Sequence, residues 1–391
     1  MRILFITDLY PVKEDEKTTP RTLLNFVTEW QNAGHEVDVI KPNFILNSFL
    51  RGKPFYKSGQ YGNVLNLNFW TPFWKITHTP TPSPLKGEWN LKQKSAKVST
   101  CVAPLKGEGY DVIIAHMPSG ILYADKLGVP FVAGVHNSDL EVLTNPLYKF
   151  HFRKRLKTAL DNAKAIACRS YVIQKKLLKL FPEFEGKTFV APSGIDENII
   201  KKSSLNREDL GGLQYPSQPS LIREGAVKVL TCANFKKRKN IDKVIKACKG
   251  NYELTVIGDG KLRKKLEKLD KNVTFTGRLP QEKVLDEMCK ADVFILPSVG
   301  ETFGMVYLEA MSQGCITVCT KNDGIDGIII DGENGFLTEP TAEAVKNTLD
   351  KINSLSGDER KALVHNTFNT IQGLTSKQCA ENYLQQIFKF L

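Results

Sequence analysis

Short apolar runs alternate with helical stretches along almost the whole chain, and this alternation limits the possible folds more than any other feature. The runs lack the polar alternation of half-exposed strands, so they predict strands of buried parallel sheets in a doubly wound α/β architecture. The first series comprises strands at 2–7, 36–40, 111–115, 131–135, 164–167 and 188–190 and a helix at 22–33, which Gly34 closes. The second comprises strands at 227–232, 253–257, 273–276 and 293–296 and helices at 241–247, 262–269 and 281–289.

Two consecutive series predict two similar α/β domains that follow one another, and a chain of 391 residues is long enough for both. We expect an N-terminal domain at 1–194, a second domain at 195–370, and a C-terminal helix at 371–391 that packs back on the first domain. Polar segments interrupt the order near 80–109, where Pro-Leu-Lys-Gly-Glu occurs twice, and near 203–225. Loops tolerate added residues at little cost in free energy, so both segments are interpreted as surface insertions, with a short interaction element as the alternative.

The stretch at 297–311 continues the last strand into a short glycine-bearing loop and a helix. Such a construction directs backbone N–H groups at an anion, because the first helical turn has no acceptors for them. Glu301 lies in the loop, and Glu309 lies roughly 7–8 Å along the helix axis from Gly304 at about 1.5 Å of rise per residue. A diphosphate at the helix start would then have a carboxylate near each end, which suits a nucleoside diphosphate sugar. Two solvated glutamates on a surface helix are the alternative.

The net charge of +12 suits nucleic acid, an anionic membrane or phosphorylated substrates. Nucleic acid is disfavoured, because no zinc-finger, helix-turn-helix or RNA-recognition motif is present. The eight cysteines form no Cys-x-x-Cys pair, which predicts neither a zinc site nor a disulfide framework and favours a reducing compartment. No apolar run approaches the ~20 residues of a membrane span, and the first residues are too quickly polar for a signal peptide. We therefore expect a cytoplasmic protein.

Aromatic residues interleave with lysines and arginines at 148–157 and again at 49–57, with Trp70 and Trp74 beyond. Basic residues combined with aromatics can hold a protein at a membrane interface. Core aromatics beside a solvated basic face would give the same pattern. Peripheral contact with an anionic membrane, at its inner face, is therefore one of two interpretations.

The C-terminal half resembles the retaining glycosyltransferases of the GT-B fold, specifically glycosyltransferase family 4. The specific signal is the Glu-x7-Glu element from Glu301 to Glu309, which continues through Gly314 to the Asp-Gly-Glu-Asn-Gly-Phe-Leu stretch at 331–337. Further similar segments lie at 10–11, 33–37, 130–136, 256–260 and 273–277. Outside the two insertions, the resemblance covers most of the chain. It implies two Rossmann-like domains that face each other across a cleft, an acceptor-side domain at 1–194 and a nucleotide-sugar domain at 195–370.

The resemblance implies that Glu301 contacts the donor sugar, Glu309 the ribose, and backbone N–H groups at 304–306 the sugar and phosphate oxygens. It implies that Lys239 binds phosphate and that His136 is the active-site histidine. A solvated basic patch and a structural histidine are the alternatives, but both residues follow strands, where α/β sheets bind ligands. The implied catalytic residues are Glu301, His136 and Lys239, and the implied donor-binding residues are Glu309, Phe303, Gly304, Met305, Val306, Lys237, Arg238, Asn234, Arg278 and Leu279.

The sequence departs from the family pattern at several positions. Asn234 stands where the family has an arginine, so one phosphate-binding charge is missing unless Lys237 or Arg238 supplies it. The loop after Pro11 lacks the usual glycine pair, Gly327 replaces a glutamate, and the usual proline after Gly314-Cys315 is an isoleucine.

These features predict a retaining transferase that moves a sugar from a nucleoside diphosphate sugar to a glycan or lipid-linked acceptor, in surface polysaccharide or glycoconjugate synthesis. No cofactor and no metal are predicted, since Lys239 and the helix start at Gly304 can stabilise the leaving diphosphate. A sugar-nucleotide epimerase of the same fold and a non-catalytic basic binding protein are the alternatives.

Overall fold

A computed structural model describes residues 1–13, 16, 21–44, 56–69, 109–148, 152–200 and 227–391. The chain divides into two compact units. The first comprises Met1–Arg169, Ile173–Ala191 and Ala380–Leu391, and the second Ser170–Val172 and Pro192–Cys379. The expected domain boundary after residue 194 thus lies just beyond the passage into the second unit at Pro192. Almost all of the two expected insertions, 80–108 and 203–225, lies outside the described residues, as do residues 49–55, Trp70 and Trp74.

The described part of the first unit contains an eight-stranded sheet in the order β3-β4-β2-β1-β5-β6-β7-β8. Neighbouring strands are parallel except β3 and β4, which are antiparallel. The strands are β1 Arg2–Ile6, β2 Glu36–Phe44, β3 Gly59–Tyr61, β4 Val64–Phe69, β5 Val112–His116, β6 Val132–Val135, β7 Ala165–Cys168 and β8 Thr188–Val190. The α-helices that lie wholly within the described residues before the second sheet are α1 Thr22–Asn32, α2 Met117–Leu127, α3 Asn137–Thr144, α4 Phe152–Asn162 and α5 Tyr171–Leu180.

Helix α2 packs directly on the end of β1. A Cβ atom at Gly120 would lie 2.4 Å from the carbonyl oxygen of Ile6, so only glycine permits this approach. Helix α1 ends at Asn32, and Gly34, which was expected to close it, follows the C-cap Ala33 with a φ of +83°. The close packing brings the first turn of α2 to the carboxyl edge of the sheet, where β1, β5, β6 and β7 end.

The described part of the second unit contains a six-stranded, fully parallel sheet in the order β11-β10-β9-β12-β13-β14. Its strands are β9 Lys228–Cys232, β10 Glu253–Ile257, β11 Thr274–Gly277, β12 Val293–Leu296, β13 Ile316–Thr320 and β14 Phe336–Thr338. Its helices are α6 Ile241–Cys248, α7 Arg263–Glu267, α8 Gln281–Lys290, α9 Met305–Ser312, α10 Ala342–Asn353 and α11 Gly357–Gln372, and α12 Ser376–Phe388 continues into the first unit.

The chain reverses its direction across this second sheet between β9 and β12. From β9 it moves outward through β10 to β11, and it then returns to place β12 on the other side of β9. Open α/β sheets bind ligands outside the carboxyl ends of the strands at such a switch point. A ligand-binding site is therefore expected at the loops after β9 and β12.

Within the described residues, no helix is both long and apolar enough to cross a membrane. No three histidine, cysteine, aspartate or glutamate side chains in them cluster as metal ligands do. Their cysteines are free thiols, most of them buried.

Candidate functional site

The loop after β12 turns sharply into α9 at Gly304. Gly304 has a φ of +100°, and a Cβ atom there would lie 2.5 Å from Cε2 of Tyr307. The Tyr307 ring is buried, and its hydroxyl donates to the carbonyl oxygen of Leu296 at 2.7 Å. This contact fixes the start of α9 against the end of β12, with the backbone of Met305 and Val306 in the first turn.

Glu301 is the centre of a group of charged and polar side chains. Its Oε1 accepts from Lys239 Nζ at 2.5 Å, from Arg238 Nη1 at 2.7 Å, and from the Ser298 hydroxyl. Burial by itself would raise the pKa of Glu301, but Lys239, Ser298 and Arg238 outweigh it, so the pKa lies below its usual value. Glu301 is therefore ionised at neutral pH and holds two cations beside the start of α9.

The two loops at the switch point are joined by hydrogen bonds. Asn240, in the left-handed region at a φ of +52°, donates its side-chain amide to the carbonyl oxygen of Pro297 at 2.8 Å. The N–H of Val299 donates to the carbonyl oxygen of Arg238 at 2.8 Å. Lys237, Arg238 and Lys239 form a single 3₁₀ turn on this support. The sequence-predicted phosphate lysine and sugar glutamate are thus brought into direct contact.

Asp323 is hydrogen-bonded to the backbone of the loop that carries Glu301. Its carboxylate accepts from the N–H of Gly300 at 2.8 Å and from the N–H of Glu301 at 2.7 Å. The next residue, Gly324, has a φ of +52°, and a Cβ atom there would lie 3.1 Å from Cβ of Glu301. Sequence reasoning missed Asp323, since only the Asp-Gly pair after β13 marks a turn there.

Glu309 lies on α9 near the end of β9. Its Oε1 accepts from Gln281 Nε2 at 2.8 Å, and burial raises the pKa of its carboxyl group. Burial also raises the pKa of the Cys232 thiol to about 12, and Glu309 adds to this while Lys239 opposes it. Cys232 ends β9, so Glu309 and Lys239 both act on the carboxyl end of that strand. Gln281 was not foreseen from the sequence.

The remaining expected donor-binding residues lie in three different loops: Phe303 after β12, Asn234 after β9, and Arg278 and Leu279 after β11. Phe303 is buried, so its side chain belongs to the loop core and only its backbone could contact a ligand. Asn234 is exposed in the loop after β9, close to the predicted phosphate lysine in sequence. Arg278 and Leu279 follow β11, in the loop that leads to Gln281, whose side chain donates to Glu309.

The Gly-x-Gly segment at 258–260 serves loop packing. A Cβ atom at Gly258 would lie 1.9 Å from the carbonyl oxygen of Ala233, and one at Gly260 would lie 2.9 Å from that of Phe235. The N–H of Phe235 donates to the carbonyl oxygen of Asp259 at 2.9 Å. The two glycines therefore allow the loop after β10 to support the loop that carries Asn234.

His136 belongs to the first unit, at the start of α3. Its backbone N–H donates to Oδ2 of Asp139 at 2.8 Å, and its Nε2 lies 2.9 Å from Nδ1 of His116. Burial, followed by the charge of Arg169, holds the pKa of His136 well below its usual value. The sequence predicted its place after a strand, but not His116, Asp139 or Arg169 around it.

Family models match most of the chain. Residues 19–199 match Glycosyltransferase Family 4, and residues 217–370 match Glycosyl transferases group 1. An uncharacterized glycosyltransferase of Methanocaldococcus jannaschii is 30% identical over 247 residues, which are 60% of this chain and 63% of that protein. TuaC of Bacillus subtilis, whose name assigns it provisionally to teichuronic acid biosynthesis, is 25% identical over 359 residues, 89% of this chain and 88% of TuaC.

Solved structures also resemble this chain. The crystal structure of Anabaena HepE in complex with UDP superposes with a TM-score of 0.66 at 17% identity, over 100% of both chains. At that identity the likeness concerns the fold alone, and it confirms the expected pair of parallel-sheet α/β domains. The chain belongs to the glycosyltransferases of group 1, family 4, and has the GT-B fold.

Proposed function

We propose that this glycosyltransferase moves a sugar from a nucleoside diphosphate sugar to a glycan or lipid-linked acceptor, with retention of anomeric configuration and without a metal ion. The observation that carries the proposal is the contact of Glu301 with Lys239 and Arg238 beside the start of α9. These groups provide positive charge for a diphosphate and an ionised carboxylate for sugar hydroxyls at one switch point. In this proposal His136, which belongs to the first unit, is the active-site histidine.

Glu301 pairs with both Lys239 and Arg238, and the three side chains together keep a net charge of +1. The phosphates of a bound donor would compete for the two cations, and Glu301 would then accept hydrogen bonds from the sugar. As the bond to the anomeric carbon breaks, negative charge grows on the leaving diphosphate, and Lys239 and the N–H groups at the start of α9 stabilise it. This arrangement places the charge stabilisation in the protein side chains and backbone.

Arg238 is our candidate for the phosphate-binding charge that Asn234 does not supply. Arg238 Nη1 lies 2.7 Å from Glu301, whereas no hydrogen bond or ion pair joins Lys237 to Glu301 within the described residues. A guanidinium group binds phosphate oxygens in bidentate geometry, as the family's usual arginine would. The sequence alone left Lys237 and Arg238 equally open.

Glu309→Gln is expected to weaken binding of a nucleoside diphosphate by about tenfold or more, because a charge-assisted hydrogen bond to a ribose hydroxyl contributes ~1.5–3 kcal/mol. Gln281 is its hydrogen-bond partner within the described residues and engages Oε1, which leaves Oε2 for the ribose. A thermal-shift screen of UDP-, GDP- and ADP-sugars identifies the base, and calorimetry then measures the affinity. Glu339→Gln, an exposed exchange in the same unit, is the control. Equal affinities of the parent and of Glu309→Gln for the nucleoside diphosphate would mean that Glu309 does not bind the ribose.

We propose in addition that a basic surface of the first unit contacts an anionic membrane, where a lipid-linked acceptor would be presented at the inner face. Leu147 is 88% exposed and Tyr148 39% exposed in the turn before α4, and Lys154 and Arg155 are exposed on α4. An exposed apolar tip beside cations is the combination that membrane interfaces bind. The name of TuaC, which refers to teichuronic acid biosynthesis, supports an acceptor of the glycan class.

Replacing Lys154 and Arg155 together by alanine is expected to weaken binding to vesicles of anionic phospholipid by about 30-fold, since each cation near such a surface contributes ~1 kcal/mol. Co-sedimentation with anionic and with zwitterionic vesicles measures this. Lys283→Ala with Lys361→Ala removes the same charge from exposed positions of the second unit and is the control. Equal sedimentation of both double variants would rule this surface out.

A further inference from the structure

A buried chain of three side chains runs through the first unit behind His136. His116 Nδ1 lies 2.9 Å from His136 Nε2, and His116 Nε2 lies 2.8 Å from the hydroxyl oxygen of Tyr383. Both ring nitrogens of His116 are therefore engaged, one toward His136 and the other toward the last helix. His116 is 0% exposed and Tyr383 is 1% exposed, so this chain is shielded from solvent.

Three separate elements supply the members of this chain. His116 ends β5, and His136 directly follows β6, the parallel neighbour of β5. Tyr383 comes from α12, in the part of that helix that belongs to the first unit. A Cβ atom at Gly134, in β6, would lie 2.1 Å from Cε1 of His116, so the imidazole occupies space that only a glycine leaves.

The rings around His116 restrict its rotation. The Phe5 and Tyr383 ring centroids lie 5.2 Å and 5.9 Å from that of His116. Tyr383 is itself packed against Phe26 and Trp30 on α1, at centroid distances of 5.3 Å and 5.7 Å. The positions of His116 and Tyr383 are thus set by packing in the core of the unit.

Because both histidines are neutral, their tautomers are coupled to each other and to the role of the Tyr383 hydroxyl group. Burial lowers the pKa of His116 well below its usual value, with the charges of His136 and Arg169 adding to it, and burial followed by Arg169 does the same for His136. Both rings are then neutral at neutral pH, and a neutral imidazole carries one N–H and one acceptor nitrogen. Each of the two contacts therefore needs one donor and one acceptor. If His136 Nε2 carries its proton, His116 Nδ1 accepts it, and His116 Nε2 then carries a proton that it donates to the Tyr383 hydroxyl oxygen. In the opposite arrangement all of these roles are reversed.

We propose that His116 and Tyr383 are positioning residues for His136, and that they hold its ring in one orientation and one tautomer at the carboxyl edge of the first sheet. The proposal rests on the proposed function, in which His136 is the active-site histidine. It gives α12 a part in the reaction, because Tyr383 on this helix then helps to fix the tautomer of His136. A polar partner on the second nitrogen commonly fixes the tautomer of a functional histidine.

Tyr383→Phe removes one hydroxyl group and leaves the ring packing in place. We expect kcat for sugar transfer to fall by about tenfold or more, as it does when the partner that orients a functional histidine is lost, while KM for the donor stays within about threefold. His116→Asn can keep a polar atom near the Nδ1 position, whereas His116→Gln keeps one near the Nε2 position. His116→Asn is therefore expected to retain more turnover than His116→Gln.

Trp30→Phe is the matched control. The Trp30 Nε1–H donates to the carbonyl oxygen of Ala380 at 2.9 Å, so it anchors the same helix without belonging to the chain. If Tyr383 only docks α12, Trp30→Phe and Tyr383→Phe will lower turnover in proportion to their losses in melting temperature. A larger loss of kcat in Tyr383→Phe at equal or smaller loss of melting temperature supports the positioning role.

Nitrogen-15 NMR of the histidine rings in the full chain tests the proposal without any assay of activity. We expect one neutral tautomer for His136 in the parent and a mixture of tautomers in His116→Gln and Tyr383→Phe. An unchanged His136 tautomer in both variants overturns the proposal, as does parental turnover in both. If no donor is turned over by the parent, the proposed function fails, and the ring spectra still decide between a chain that fixes His136 and one that does not.

Discussion

Lys239→Ala is expected to lower sugar transfer by about 100- to 1,000-fold, the loss that follows removal of one preorganised charge-stabilising group from an active site. Lys239 Nζ lies 2.5 Å from Glu301, and only 14% of its side chain is exposed. Water in the space left by alanine would therefore compensate poorly for the lost positive charge. The diphosphate should bind more weakly, and the nucleoside alone should bind nearly as in the parent, because only the phosphates contact this charge. Steady-state kinetics and calorimetry with nucleoside, monophosphate and diphosphate measure both effects.

Lys243→Ala provides the matched control for this prediction. Lys243 lies in the same unit on α6, where it pairs with Asp242 at 3.3 Å, so its removal changes the net charge equally. We expect parental kinetics from this control. A diphosphate affinity in Lys239→Ala equal to that of the parent would mean that the Lys-Lys-Arg-Lys run is a solvated patch.

Asp139→Asn is expected to change how the stability of the first unit depends on pH. Burial, with a smaller contribution from the charge of Asp8, raises the pKa of Asp139 to about 8, against the opposing hydrogen bond from the N–H of His136. A group whose pKa is raised by folding stabilises the fold fully below its unfolded pKa, and this contribution is lost as the pH rises through the folded value. For Asp139 the loss therefore runs from about pH 4 to about pH 8, at up to about 1.4 kcal/mol per pH unit.

Asparagine keeps the acceptor for His136 and has no proton to lose. The free energy of unfolding of Asp139→Asn, minus that of the parent, should therefore increase from pH 5 to pH 8 and level off above pH 8. Urea unfolding of both proteins at each pH measures this difference, in which all groups common to the two chains cancel. Parallel curves would mean that Asp139 is ionised in the folded protein throughout this range.

The parallel sheets were predictable because both of their faces are buried. Strands covered on both sides give continuous apolar runs, and β8, β10 and β12 were predicted with the bounds that the structure has. Strand β2 was predicted to end at residue 40, but it runs on to Phe44. Lys41 and Pro42 are typical of a strand end, yet both are buried, and Lys41 Nζ donates to the carbonyl oxygen of Tyr10.

The candidate site was predictable where its residues follow strands that flank the switch point. Lys239 comes after β9 and Glu301 after β12, and neighbouring parallel strands bring such loops together. Asp323, which lies 22 residues from Glu301, and Tyr383, which lies 267 residues from His116, were missed. Their side chains are ordinary in the local sequence, and only the tertiary fold brings them to the residues that they hold.

The deletion of the insertion near 80–109 remains a prediction that concerns residues outside the described ranges. Replacing residues 83–106 by a short Gly/Ser linker should leave the melting temperature and donor binding near the parental values, because the free energy of closing a loop changes little with its length. A collapse of soluble expression would mean that the segment packs on the core. A loss of transfer with intact donor binding would mean that it recognises the acceptor.

The anomeric configuration of the sugar first released from the donor tests the central claim most directly. With the nucleoside diphosphate sugar chosen by the thermal-shift screen, proton NMR can follow the reaction with water or with a glycan acceptor as it proceeds. We expect release of the nucleoside diphosphate and a product with the donor's configuration at the anomeric carbon, in the parent and at a strongly reduced rate in Lys239→Ala. The opposite configuration would contradict retention, and an isomerised sugar nucleotide formed without acceptor would contradict the transferase assignment itself.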